Sequence, residues 1–414
     1  MKLTKDGVTA AKGFWAASTA AGIKYTGRDD MALIVSSVPC KAAGVFTKNV
    51  VKAAPVVYDQ NVVAKGQATA IVVNSGIANA CTGVNGLMAC EATAEKAGAA
   101  LGIDPGQVLV ASTGVIGMPL NMDKVKAGID QLVKDLADEK ENNGAESLEG
   151  GHKAAKAIMT TDTHPKEVAV EFEVGGKKAV LGGMCKGSGM IHPNLGTMLC
   201  FLTTDVSIDQ KLLQEALLDN VQETFNMVSV DRDTSTNDSV LLLANGQAGN
   251  PTITEKNEDY KTFSEALHQA ALTLCKMIAG DGEGANALLQ MDVVGAKTHQ
   301  QAKVIAKSVI TSNLVKTAIA GHDANWGRII CAMGYSGEDF DPALVDLFFE
   351  SKAGKIQILK NGTALAYSEE EATRILSETE ITCKADLHLG SEKATAWGCD
   401  LTKQYVSINA DYRS

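Results

Sequence analysis

The residues whose types and spacing best suit chemistry lie in a Gly-rich stretch, Lys186-Gly187-Ser188-Gly189-Met190-Ile191-His192-Pro193-Asn194-Leu195-Gly196-Thr197-Met198-Leu199. It ends with a Thr placed directly after a Gly, at the entrance to the apolar run Met198 to Leu202. If the Gly196–Thr197 peptide bond were cut, Thr197 would carry a free α-amine beside its own hydroxyl. An amine with a pKa of about 8 can act as the base for that hydroxyl, which is the N-terminal Thr nucleophile arrangement. Gly196 leaves the hydroxyl room to attack the preceding carbonyl and tolerates the strained geometry this needs. On spacing alone, the ordinary reading is a Gly-rich turn entering a strand, because Gly-Thr steps are common turn chemistry. His192 has no evident partner and reads as a loop histidine without a catalytic role.

Other chemistries find little support. The seven His form neither H-x-H nor H-E-x-x-H, so a metal site is not expected. There is no G-x-S-x-G elbow and no Walker motif. Gly280-Asp281-Gly282-Glu283-Gly284 follows a helical stretch and lacks the dinucleotide spacing. The nine Cys are odd in number and irregularly spaced, with no C-x-x-C. They read as small buried hydrophobes in a reducing compartment rather than as a disulfide framework or a zinc site.

The elements that must position these residues alternate between strand and helix. Ala68 to Val73 and Gln107 to Ser112 are short apolar runs and read as buried strands. Val125, Ile129, Leu132 and Leu136 mark one face of a helix over Asp123 to Glu139. Glu91 to Ala100 reads as helix, and the polar stretch Glu139 to Gly151 as a surface loop. Val168, Val170 and Phe172 alternate as a half-buried strand does. Ser207 is the expected N-cap of a helix over Ile208 to Phe225, and Tyr260 to Ile278 is a second long helix. Ser239 to Leu243, Leu289 to Val294, Lys355 to Leu359 and Lys403 to Ile408 are the remaining expected strands. The class is α/β or mixed α+β.

Composition narrows the partners. The chain of 414 residues is 45% hydrophobic and 21% charged, enough apolar material for a sizeable core and, by length, two to three domains. Lys+Arg number 38 and Asp+Glu 49, a net charge of −11. This is not the basic footprint of a nucleic-acid or anionic-membrane binder, so neither partner is expected. The longest uncharged stretch, Gly66 to Cys90, is broken by Asn, Gln and Gly and is no membrane span. The N-terminus has no clean apolar signal region, which makes the cytoplasm the expected location.

The Lys186 to Leu199 block resembles the self-cleavage segment of the ornithine acetyltransferase family, the bifunctional glutamate/ornithine N-acetyltransferases of arginine biosynthesis. Further blocks are similar in the same order: Ser112-Thr113-Gly114-Val115-Ile116-Gly117, Ile158 to Thr163, Asp231 to Asp238, Asp281 to Ala285, Asp323 to Arg328, and Ile408 to Arg413. The resemblance implies an αββα-type sandwich and self-cleavage between Gly196 and Thr197. An α chain (1–196) and a β chain (197–414, with a smaller C-terminal subdomain) would then assemble as an α2β2 heterotetramer. It implies Thr197 as nucleophile and Thr113 with Gly114 as the oxyanion hole. Thr160, Lys186, Thr197, Glu283, Asn409 and Ser414 fall on substrate-binding positions. The reaction implied is ping-pong transfer of acetyl from N-acetylornithine to glutamate, with no metal or bound cofactor and with acetyl-CoA open as a second donor. An N-terminal-nucleophile aminopeptidase or amidase of the same fold is the alternative. Two departures from many relatives are Gly196, where Ala precedes the Thr, and Asn286-Ala287, where Thr-Lys follows the Glu-Gly-Ala of the block.

Overall fold

The computed structural model describes residues 1–143, 148–192 and 198–411. In chain order the first part contains β1 (Lys2–Thr4), β2 (Phe14–Thr19), β3 (Met31–Phe46), α1 (Ala54–Ala64), β4 (Gln67–Asn74), α2 (Gly83–Leu101), β5 (Val108–Ser112), α3 (Met122–Asn143) and α4 (Glu149–Ala157). Then come β6 (Lys166–Val174), β7 (Lys177–Lys186), β8 (Leu199–Thr204), α5 (Gln210–Glu223), β9 (Ser239–Ala244) and α6 (Glu258–Gly280). The last part has β10 (Leu288–Ala296), α7 (His299–Ile310), α8 (Asn313–Ala320), α9 (Trp326–Gly334), β11 (Asp346–Ser351), β12 (Gly354–Lys360), β13 (Thr363–Ala364), α10 (Glu369–Leu376), β14 (Glu380–Asp386), β15 (Glu392–Cys399) and α11 (Lys403–Asp411).

The larger sheet has the order β1-β6-β7-β8-β9-β3-β4-β5, with β2 also paired to β3. Strand β3 serves two layers. Its first half pairs with β2 and β4, its second half (Lys41 to Phe46) pairs with β9, and the register breaks between Val35 and Cys40. The side-chain period of two then sorts each strand between different cores. Ile34, Ile71, Leu109, Phe201 and Leu241 share the core between the layers. Leu33, Val72 and Val110 face outward onto α2 and α3, through Cys90, Ala94, Ile129 and Leu132. On the far side, Cys200, Leu202, Val240 and Leu242 meet Leu213, Leu217, Phe263 and Leu267 of α5 and α6. The result is helix, sheet, sheet, helix, the αββα sandwich that the family resemblance implies. Burying each such Leu, Ile or Phe contributes about 1.5–3 kcal/mol.

A second sheet, β13-β12-β11-β14-β10-β15, packs on α6 from the other side. Helix α7 covers its β10 and β15 strands. Seven of the nine Cys are buried and all nine are free thiols, with Cys81 and Cys331 exposed. No helix among the described residues is long and apolar enough to cross a membrane.

Several local expectations are corrected. Lys403 to Ile408 is helix α11, not a strand: Thr402 accepts the Gln404 amide at 3.1 Å, and no α11 side chain is buried to reward a sheet pairing. Helix α5 is capped by Asp209, which accepts the Lys211 amide at 2.9 Å, whereas Ser207 pairs with Thr252. The Glu139 to Gly151 stretch is largely helical: α3 runs to Asn143, and α4 starts at Glu149 with Gly150 and Gly151 buried. Residues 144–147 of that stretch lie outside the described residues. Gly182 and Gly183 lie inside β7, and a side chain at 182 would run into the Gly7 carbonyl.

Candidate active site

Strand directions bring the site to one end of both layers. Lys186, the last residue of β7, pairs with Leu199 at the start of β8. Leu199 pairs with Ser239 at the start of β9, and Ser239 with Phe46 at the end of β3. In the other layer, Asn74 and Ser112 end the parallel pair β4 and β5 side by side. Asn237 joins the layers: its amide nitrogen donates to the Ala78 carbonyl at 2.6 Å and the Ser112 carbonyl at 2.8 Å.

A cleft of about 140 Å³ opens at this end. Its lining includes Thr113, Gly114, Thr160, Lys186, Glu283 and Asn409, together with Met198, Leu199 and Ser235 to Asp238. Residues nearly three hundred positions apart in the sequence, roughly the span from Thr113 to Asn409, are therefore brought to one surface. Gly196, Thr197 and Ser414 lie outside the described residues.

Thr113 and Gly114 follow β5 at a turn. The Thr113 amide is spent on the Asn74 carbonyl at 3.0 Å, so what this residue offers the cleft is its hydroxyl. Gly114 has φ +129°, and a side chain there would collide with the Gly76 backbone. Only glycine fits that conformation and that approach. The chain is further pinned by the Val115 amide on the Gly76 carbonyl at 3.1 Å.

A buried charge cluster beneath the cleft sets three more segments. Lys166, fully buried, donates to Asp162 at 2.7 Å and Asp281 at 2.5 Å. Asp162 accepts the amides of Thr160 (3.1 Å) and Gly187 (2.7 Å), and the Lys186 ammonium stands 4.0 Å away. Asp281 accepts the Thr163 amide and hydroxyl, and its carbonyl accepts the Ser188 hydroxyl at 2.7 Å. Burial alone would raise the Asp162 pKa. The charges of Lys186 and Lys166, with hydrogen bonds from Lys166 and Gly187, outweigh it and hold that carboxyl well below the usual range. Lys166 is correspondingly held above its ordinary value: burial pulls it down, and Asp162 and Asp281 overcome that.

Glu283 is placed by its own amide on the Ser188 carbonyl at 3.1 Å, and its carboxylate accepts the Asn409 side-chain amide at 2.7 Å. The Thr402 hydroxyl donates to the Gly284 carbonyl at 2.7 Å, which docks α11 on this loop. Gly189 packs so closely on Glu283 that a side chain there would displace the carboxylate. A cation, an anion and neutral hydrogen-bonders thus share one cleft, the set needed to hold an amino acid by charge-assisted bonds.

The Asp231 to Asp238 block is a network of turn hydrogen bonds, and its end is also cleft wall. Asp231 accepts the amides of Met190 (2.6 Å), Ile191 (2.9 Å) and Asp233 (3.2 Å). His192 contacts the Ser229 hydroxyl at 3.0 Å and is not among the cleft-lining side chains. Burial, aided by Lys307 and Arg232, pushes its pKa down to about 4, so it is neutral at pH 7. Reading the sequence for site residues missed Asn237, Asp238 and the Asp162–Lys166–Asp281 cluster. Asn237, Asp238, Asp162 and Asp281 were signalled only by membership of the ordered blocks, and Lys166 lies outside every block.

A family model described as the ArgJ family matches residues 15–414. The chain belongs to the ArgJ family. The arginine biosynthesis bifunctional protein ArgJ of Symbiobacterium thermophilum is 50% identical over 416 residues, covering 100% of both chains. ArgJ 1 of Clostridium acetobutylicum is 49% identical over 412 residues, covering 100% of this chain and 98% of its own. A crystal structure of Bacillus halodurans ArgJ has 47% identity and a TM-score of 0.49, covering 51% of this chain and 98% of that one. In ArgJ terms the expectation read from the ordered blocks holds: this is an enzyme of the bifunctional glutamate/ornithine acetyltransferase family.

Replacing Thr113 by Ala tests the oxyanion assignment for this ArgJ-family cleft. Removing one such donor costs about 10²-fold or more in turnover. The fold should persist, since the Thr113 amide keeps its bond to Asn74. Steady-state rates near the wild-type value would remove Thr113 from that role.

Proposed function

We propose that the chain cuts itself between Gly196 and Thr197 and then transfers acetyl from N-acetylornithine to glutamate through an ester on Thr197. The observation that supports this most is the gathering of Thr113, Gly114, Thr160, Lys186, Glu283 and Asn409 around Met198, the residue next to the junction. The Thr197 hydroxyl attacks the acetyl carbonyl while the α-amine takes the hydroxyl proton. The Thr113 hydroxyl and the Gly114 amide receive the oxyanion. Collapse breaks the C–N bond, the departing nitrogen takes the proton, and ornithine leaves behind an acetyl ester. The neutral amine of glutamate then attacks that ester, and the Thr197 oxygen recovers its proton.

Lys186 suits a substrate carboxylate and Glu283 a substrate ammonium, with Thr160, Asn409 and Ser414 as hydrogen-bonders. The route needs no metal or cofactor, and acetyl-CoA is a second acetyl donor of suitable chemistry. The 1–196 and 197–414 chains would remain together as an α2β2 assembly working in arginine biosynthesis in the cytoplasm.

Two measurements test this reading. Initial rates with both substrates should give parallel lines, and rapid quenching should trap one acetyl mass on the fragment that begins at Thr197. Activity should fall as the pH drops below about 7, because the α-amine is lost as a base when it is protonated. Intersecting lines without a trapped adduct would mean direct transfer, and free acetate that glutamate does not suppress would mean an amidase.

A further inference from the structure

Most of the cleft wall is polar, and its apolar side chains fall into two groups. Ile191, Met198 and Leu199 are buried, whereas Met190 is 44% exposed and Ile116 is 38% exposed. Ile116 comes two residues after Gly114, at the end of the cleft where the oxyanion would form. Met190 belongs to the opposite end. It follows Gly189, whose backbone packs directly on the Glu283 carboxylate. The steps proposed above give Met190 no task.

Its backbone is held in an uncommon conformation. Met190 has φ +55°, and among the seven non-glycine residues with positive φ in the described residues it alone carries a long apolar side chain. A bulky residue rarely adopts this region, and surrounding contacts must hold it there. Asp231 supplies them, accepting the Met190 amide at 2.6 Å and the Ile191 amide at 2.9 Å. The Tyr405 hydroxyl of α11 donates to the same carboxylate. The result is a corner in the chain. Before it, Gly189 lies against Glu283, where a Cβ would come within 2.3 Å of the carboxylate. After it, Ile191 turns into the core, and its carbonyl accepts the Val230 amide at 2.8 Å. Between the two, the Met190 side chain is left on the cleft.

The donor amino acid supplies what such a side chain would cover. With its carboxylate at Lys186 and its side-chain ammonium at Glu283, the methylenes between them cross a cleft whose wall is otherwise hydroxyl, amide and charge. Those methylenes gain from leaving water only where an apolar surface meets them. Met190 is the exposed apolar side chain beside Glu283, and an unbranched, polarizable thioether adapts well to an alkyl chain. We infer that Met190 is a specificity-determining residue that covers the alkyl chain of the donor amino acid and sets its length, an inference that rests on the acetyl-transfer reading. One methylene more crowds the thioether or drives the ammonium past Glu283. One fewer leaves ammonium and carboxylate apart. A single methylene in an apolar site is worth about 10–200-fold in discrimination.

The test compares wild type with Met190→Gly on three donors, with glutamate as acceptor: N-acetylornithine, Nα-acetyllysine with one methylene more, and Nα-acetyldiaminobutyrate with one fewer. Glycine adopts the left-handed region freely, so the variant keeps the corner and loses only the side chain. Wild type should prefer N-acetylornithine to either homologue by about tenfold or more in kcat/KM. In the variant, KM for N-acetylornithine should rise by about tenfold with a smaller change in kcat, since the contact is made equally in the ground and transition states. Its preference over the longer donor should shrink to about threefold or less. An unchanged preference in the variant, a wild type that does not discriminate, or a loss in kcat at normal KM would overturn the role of Met190. A wild type that transfers acetyl from none of the three donors would remove the acetyl-transfer reading and this role with it, whereas active wild type with an unchanged preference in the variant removes only the role of Met190.

Discussion

Thr197→Ala remains a single chain of 43.3 kDa and loses acetyl transfer by about 10⁴-fold or more. The size of the effect follows from the chemistry proposed. One hydroxyl serves cleavage and both half-reactions, and Ala supplies no oxygen for any of them. The proposed oxyanion donors Thr113 and Gly114 would still be present, so only their residual contribution would survive. Denaturing mass spectrometry followed by a coupled transfer assay checks both parts. Efficient cutting of the purified variant, or turnover within tenfold of wild type, would rule out the N-terminal nucleophile.

Lys166→Met destabilises the folded protein by about 3–5 kcal/mol, the scale for breaking a buried ion pair and leaving a charge uncompensated. The cation is fully buried between Asp162 and Asp281, themselves 8% and 5% exposed, so water cannot replace it. The pH dependence has a definite sign. Asp162, with its pKa depressed, adds stability above the unfolded carboxylate value of about 4, and that stability is lost as pH falls through the folded value. Lys166, with its pKa raised, adds stability below about 10.4 that is lost as pH rises through the folded value. The wild-type advantage over the variant is therefore largest between those limits and shrinks toward acid. Urea unfolding of both proteins at neutral pH and near pH 3 checks this. An equal difference at the two pH values would place the effect in packing rather than charge.

The charge cluster also shows why part of the site could not be read beforehand. Asp162, Lys166 and Asp281 are ordinary polar residues in the sequence. Their burial, and hence their strength, exists only once β6 and the loops after α4 and α6 are packed together. Asn237 is similar: in the chain it belongs to a polar turn, and in the fold it ties one sheet layer to the other. Asp238, like Asp59, has a buried carboxyl oxygen with no hydrogen-bond partner among the described residues, a property that a sequence does not carry.

Local pattern was enough elsewhere. The apolar runs at 68–73, 108–112 and 239–243 are strands, with Gln107 ending the turn before the second, and the spacing of Val125, Ile129, Leu132 and Leu136 is a helix face, because the periods of two and 3.6 are properties of the backbone itself. The pattern failed at Lys403 to Ile408, where alternation over a few residues fits either element and burial did not arbitrate. By itself, then, the sequence determined the family, the helix and strand content of its periodic segments, and the identities of most cleft residues through blocks in a shared order. The tertiary structure decided which of those residues meet and which charges are buried and paired. Those outcomes depend on layers that stack residues hundreds of positions apart, and no local spacing encodes them.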